Sequence, residues 1–98
     1  MEIAKKQEGT TLQVALSGRL DTTTAPELEA SLKASYDGVT KLVLDFTHLE
    51  YVSSAGLRVL LGAQKVMNRQ GEMVLQHVND DVKDVFEITG FSDILTIE

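Results

Sequence analysis

The chain has 98 residues, with 43% hydrophobic and 24% charged, the proportions of one small globular domain (1–98) with a single core. It has no cysteine and a formal net charge of −6, which excludes disulfides, thiolate metal sites and a cysteine nucleophile and argues against nucleic acid, whose phosphates require a basic stripe. A basic protein surface is the better electrostatic partner.

Residues 1–8 are too polar for a signal peptide, and no apolar run approaches membrane-spanning length. A cytoplasmic protein without a membrane partner is therefore expected. Residues 2–6 and 11–17 read as two strands of a hairpin across Gln7, Glu8, Gly9 and Thr10, with Leu12, Val14 and Leu16 alternating inward. Gly18–Thr23 breaks the alternation. Thr24 and Glu27 then have the spacing of a capping box, with Pro26 tolerated in the first turn, so a helix is expected from here to a cap at Gly38. Leu28, Leu32 and Tyr36 recur on its apolar face.

Residues 41–46 form a short apolar run without helical period and suit a central strand buried on both faces, followed by a connection over 47–52. A second helix opens at Ser53-Ser54-Ala55-Gly56. Leu57, Leu60, Leu61 and Met67 share its apolar face, Val59, Ala63 and Val66 widen it, Arg58, Lys65 and Arg69 reach solvent, and Gly71 ends it. Residues 72–77 are a further strand. Asn79, Asp80 and Asp81 supply the cap and first-turn acids of a third helix carrying Val82, Val85 and Phe86, which Gly90 stops before a last short strand at 94–97. The expected architecture is α/β, a mixed sheet in ββαβαβαβ order with helices packed on it.

At the start of the second helix a serine has two possible uses. It can cap the helix by accepting a backbone N–H bond, or it can expose a hydroxyl for covalent modification. Local spacing leaves both open. Other chemistry has less support. His48 and His77 lie on different predicted elements without an i,i+4 partner, so no metal site is expected. The acids of Asp80, Asp81 and Asp84 and of Glu27 and Glu29 suit helix first turns. No Walker or dinucleotide glycine loop is present, and Ser53-Ser54-Ala55-Gly56 lacks the Gly-x-Ser-x-Gly elbow of a hydrolase. Neither cofactor nor enzymatic activity is expected, and a nucleotide cradled at the helix start is kept as a minor alternative.

Taken together, the hairpin, Leu16-Ser17-Gly18-Arg19-Leu20-Asp21, Leu42-Val43-Leu44-Asp45, and the run Tyr51-Val52-Ser53-Ser54-Ala55-Gly56-Leu57-Arg58 resemble the STAS domain, and more narrowly the bacterial anti-sigma factor antagonists. Gly71–Leu75 and the helix from Val82 to Gly90 extend the resemblance over nearly the whole chain. The resemblance implies a single STAS domain acting as a partner-switching protein. Its partners would be an anti-sigma factor that is also a serine kinase, bound when the chain is unmodified, and a PP2C-type phosphatase that reverses the modification. The family's acceptor position, two residues before Gly56-Leu57, falls on Ser54, and Ser53 stands where the family usually has an aspartate, which makes it a possible second acceptor. The implied partner surface is Asp21, Thr22 and Thr23 with Ser53, Ser54, Gly56, Leu57 and Arg58. A STAS module that serves as a constitutive subunit of a transporter or signalling complex, with Ser54 a cap alone, is the alternative.

Overall fold

In the computed structural model, which describes residues 1–98, the strands are β1 (Glu2–Glu8), β2 (Thr11–Leu20), β3 (Lys41–Val52) and β4 (Glu72–Gln76). The helices are α1 (Ala25–Lys33), α2 (Ser54–Gln70) and α3 (Asp80–Thr89), followed by a 3₁₀ turn at Phe91–Asp93. The strands form one sheet in the order β1-β2-β3-β4, antiparallel between β1 and β2 and parallel thereafter. This is the mixed α/β sheet expected from strands alternating with helices after a hairpin.

The alternation in β2 puts Leu12, Val14 and Leu16 on the helix side, where they meet Leu42, Leu44 and Phe46 of β3 and Met73 and Leu75 of β4. Leu28 and Leu32 of α1 and Leu57, Leu60 and Met67 of α2 cover them. Val82 and Phe86 of α3 close the far end, with the Phe86 ring tilted against Phe46 at 6.4 Å between centroids. Val43 and Val74, paired across β3 and β4 and pointing away from that layer, are also buried. On that open face β3 is covered only at Val43, with Lys41 and Asp45 partly exposed, so the central strand is buried fully on the helix side alone rather than on both faces as expected.

Three local expectations are corrected. The segment 47–52 is not a connection: β3 continues through it, pairing Ser17 with His48, Gly18 with Leu49, Arg19 with Tyr51 and Leu20 with Val52. Two register shifts, between Ala15 and Ser17 and between Gly18 and Arg19, interrupt the ladder. They rotate the strand so that Phe46, Leu49 and Val52 are buried three apart, which hides the period of two by which strands are recognised. Secondly, α1 ends at Lys33 rather than near Gly38. The Ser35 hydroxyl bonds back to the Ser31 carbonyl at 2.9 Å, and Gln70 of α2 takes the Tyr36 and Val39 carbonyls, so the chain turns early.

The third concerns the end of the chain. The expected strand at 94–97 shrinks to a single parallel bridge from Ile97 to Leu75, because Phe91–Asp93 forms a 3₁₀ turn and delivers the chain to β4 too late for a ladder. Gly71 ends α2 as expected, though not through a left-handed backbone. Its backbone is extended, and a Cβ there would lie 1.8 Å from the Thr40 carbonyl oxygen, so the residue is fixed by the close crossing of two chains. Gly90, by contrast, stops α3 as expected and does so as a left-handed cap, at φ 81°.

Candidate functional site

The far ends of β2 and β3 set the site. Leu20 and Val52 are paired, and the Ser53 amide donates to the Leu20 carbonyl at 2.8 Å, so the turn leading into α1 and the turn leading into α2 are fastened side by side. Gly56 allows the approach. A Cβ on it would stand 2.7 Å from Leu20 Cγ and 3.0 Å from the Leu20 carbonyl oxygen, so α2 can sit this close to β2 only with glycine in its first turn.

The cap of α2 belongs to Ser53. Its backbone is extended, at φ −88° and ψ 175°, which aims the side chain back at the helix, and its Oγ accepts from the Gly56 amide at 3.3 Å. Ser54 follows as the first helical residue. It is exposed, and its hydroxyl has no partner within the chain. The cap therefore falls to Ser53 and leaves the Ser54 hydroxyl free. Arg58 stands one turn further along α2, exposed and without an ion pair.

The α1 turn is built differently from the expected capping box. Thr24 has helical backbone angles, φ −95° and ψ −20°, and its side chain makes no cap bond. Its hydroxyl instead donates to the Arg19 carbonyl at 2.7 Å and accepts from the Asp21 amide at 2.9 Å. Asp21 instead organises the turn ahead of α1: one carboxylate oxygen accepts from the Thr23 amide at 3.0 Å and the Thr24 amide at 3.1 Å, while its backbone carbonyl accepts from the Ala25 amide at 2.8 Å. The Thr24 amide, outweighing partial burial and joined by the Thr23 amide, the Thr24 hydroxyl and Arg19, holds the Asp21 carboxyl below the usual carboxylate range. Thr22 and Thr23 are exposed beside it.

Of the residues assigned to a partner surface from sequence, Asp21, Thr22, Thr23, Ser53, Ser54 and Arg58 are at least partly exposed. Gly56 and Leu57 are buried and present no side chain to a partner; they hold the surface up from beneath. Two further residues lie beside the exposed ones. Tyr51 is 40% exposed, and the Arg19 guanidinium lies over its ring at 4.4 Å while Nε is 3.9 Å from Asp21. Nothing in the linear spacing joins Arg19 to Tyr51, because the register that pairs them follows the second shift in the β2–β3 ladder.

Elsewhere the surface offers little for small-molecule chemistry. A depression of about 220 Å³ on the open face of the sheet, lined among others by Lys6, Gln13, Asp45 and Gln76, and a groove of about 170 Å³ between α1 and α2, are both smaller than usual ligand pockets and neither includes Ser53 or Ser54. No group of three His, Asp or Glu side chains converges, and no helix is long and apolar enough to cross a membrane.

Comparison with known proteins is consistent along the whole chain. The profile of the STAS domain matches residues 2–98. BtrV of Bordetella bronchiseptica, a candidate anti-sigma factor antagonist, is 44% identical over 88 residues, which cover 88% of this chain and 76% of BtrV. The anti-sigma-B factor antagonist of Listeria monocytogenes is 35% identical over 97 residues, covering 96% of this chain and 84% of the relative. Among solved structures, an anti-sigma factor antagonist from Mycobacterium paratuberculosis superposes with a TM-score of 0.87 at 22% identity, over 98% of this chain and 83% of that one. The Bacillus cell fate determinant SpoIIAA in its phosphorylated form gives a TM-score of 0.77 at 19% identity, over 99% and 91%. The last two share the fold, whereas the first two carry the family: the chain belongs to the STAS domain family and, within it, to the anti-sigma factor antagonists.

Proposed function

We propose that this chain is a non-enzymatic, phosphorylation-controlled binding protein that engages an anti-sigma factor when Ser54 is unmodified and releases it when Ser54 carries phosphate. The observation that carries the reading is the free, exposed Ser54 hydroxyl beside a Ser53 already committed to the helix cap. Relatives named as anti-sigma factor antagonists support the partner class. The modifying partner is a serine kinase, the anti-sigma factor itself. A nucleoside triphosphate supplies the terminal phosphoryl group: the Ser54 Oγ–P bond forms, the bond to the departing diphosphate breaks, and the hydroxyl proton leaves to a base on the kinase. A PP2C-type phosphatase reverses this with water, restoring the hydroxyl and releasing inorganic phosphate.

Ser53 is the poorer acceptor. It is only partly exposed, and modification there would remove the bond to the Gly56 amide. Phosphate at Ser54 adds roughly −1.5 to −2 charges at the positive end of α2, where the helix dipole favours it, so the fold survives the modification. Its effect falls on the interface through bulk, desolvation and repulsion of the partner's carboxylates. A hundredfold loss of affinity corresponds to about 2.7 kcal/mol, within what one badly matched buried charge costs.

The test is partner capture from native cells with wild type, Ser54→Ala, Ser54→Asp and the chain phosphorylated at Ser54. The expected result is a kinase-class partner held by wild type and Ser54→Ala, weakened by Ser54→Asp and lost from the phosphorylated chain. Equal binding to all four removes the switch and leaves a constitutive binding module.

A further inference from the structure

Arg58 is an exposed cation without a counter-ion, and its own helix explains why. An arginine on a helix meets the side chains three and four positions away. Around Arg58 these positions hold Ser54, Ala55, Leu61 and Gly62, none of them acidic. The neighbouring turn does not supply a carboxylate either, because Asp21 is occupied by the Thr23 and Thr24 amides and by Arg19. Glu27 lies in the first turn of α1 and makes no ion pair with Arg58.

Modification of Ser54 changes this arrangement at one position. Residues 54 and 58 are separated by about 6 Å of rise and stand roughly 40° apart around the axis, so their side chains share a face. The anionic residue lies N-terminal to the cationic one, the favourable order for a helical pair. The guanidinium fork matches two phosphate oxygens, a geometry that lysine cannot reproduce. The other cations of α2, Lys65 and Arg69, are about 16 Å or more along the axis and out of reach. Arg19, the cation of the neighbouring turn, is already engaged with Tyr51 and Asp21.

We propose that Arg58 is the intramolecular counter-ion of phosphorylated Ser54, folding back along α2 to clamp the phosphate. Modification then alters the partner surface twice, adding an anion at Ser54 and withdrawing the free cation at Arg58. A partner site with carboxylates facing Arg58 loses its attraction as it gains a repulsion. The proposal rests on Ser54 being the modified residue, but the clamp can be tested without any kinase or partner.

The experiment installs phosphoserine at residue 54 of the full chain by genetic encoding and follows the phosphorus resonance across the second ionisation of the phosphate, which lies near pH 6 without a neighbour. A clamped dianion resists protonation, so the midpoint in the otherwise wild-type chain should lie about half a unit below that of Arg58→Gln. Arg58→Lys should keep a smaller part of the shift, as a point charge without the fork, and Lys65→Gln should titrate like wild type. Raising the salt concentration should bring the wild-type midpoint toward that of Arg58→Gln. Identical midpoints in wild type and Arg58→Gln at low salt, or an equal shift caused by Lys65→Gln, would overturn the clamp. The proposed function fails by a different sign, the absence of phosphate at Ser54 in native cells, which leaves these midpoints as they are.

Discussion

The first turns of α1 and α2 lie side by side and face the same problem, amides that have no partner inside their helices, yet they solve it in opposite ways. At α1 no side chain caps the helix, and the polar groups of the turn before it close on one another: the Asp21 carboxylate takes the Thr23 and Thr24 amides, and Thr24 closes on Arg19 and on the Asp21 amide. At α2 one serine does the capping and the next stays free, with an unpaired arginine one turn behind it. The first turn is held by its own hydrogen bonds, although the Thr22 and Thr23 hydroxyls stay exposed, while the second offers a free hydroxyl with a free cation on the same helix face. The site combines the two, a hydrogen-bonded platform beside an open helix start.

The comparison depends first on the two turns being fastened together, so the largest effect should come from Gly56→Ala. The added methyl meets Leu20 at 2.7 Å. Overpacking of this kind costs about 1–3 kcal/mol, offset in part by alanine's better helix propensity. Thermal unfolding should show a midpoint lowered by about 5–10 °C, and an unchanged midpoint would mean that the turns are not held by this contact.

Next, Ser53→Ala removes the α2 cap and should cost about 1 kcal/mol, whereas Ser54→Ala should stay within about 0.5 kcal/mol of wild type in denaturant titrations. Equal losses in the two variants would break the division of labour between the serines.

The α1 turn can be tested by pH. The Asp21 carboxyl is held below its ordinary value of about 3.9 in the unfolded chain, so its contribution is present above about pH 4 and is lost as pH falls through its lower folded value. Asp21→Asn keeps an oxygen acceptor for the two amides but cannot titrate. The stability difference between wild type and Asp21→Asn should therefore shrink as pH falls from about 5 to about 2; a constant difference would show that the charge takes no part. Asp45 cannot mimic the result, although burial is opposed there by the Thr47 hydroxyl and amide with His77 and His48 to give a lowered value, because it is present in both proteins.

The smallest effect sharpens the comparison from the side of α2. Phosphoserine at 54 should leave the far-ultraviolet circular dichroism unchanged and the unfolding midpoint within about 3 °C of wild type or above it, since the anion stands at the favourable end of the helix. A cooperative loss of helix signal would place the switch in the fold rather than at the surface.

Much of this was legible in the chain itself. The alternation of Leu12, Val14 and Leu16, the apolar face of Leu57, Leu60 and Met67, the Asn79 cap that accepts from the Val82 amide at 2.8 Å, and the left-handed Gly90 are local patterns, spanning a few residues and read by steric and hydrogen-bonding rules that act at that range. The run through Ser53, Ser54 and Gly56 also pointed to the right helix start. What the sequence could not decide was competition from distant segments. Thr24 and Glu27 have capping-box spacing, but the Arg19 carbonyl claims the Thr24 hydroxyl and the backbone leaves the cap conformation. Residues 47–52 lack strand periodicity, but the β2 ladder, shifted twice, carries them on as a strand and brings Tyr51 under Arg19. The same ladder holds the Ser53 amide to Leu20, so Ser53 is the capping serine and Ser54 the free one. A hydrogen bond goes to the acceptor that tertiary packing brings within reach. Spacing along the chain identifies the candidates, and the fold chooses among them.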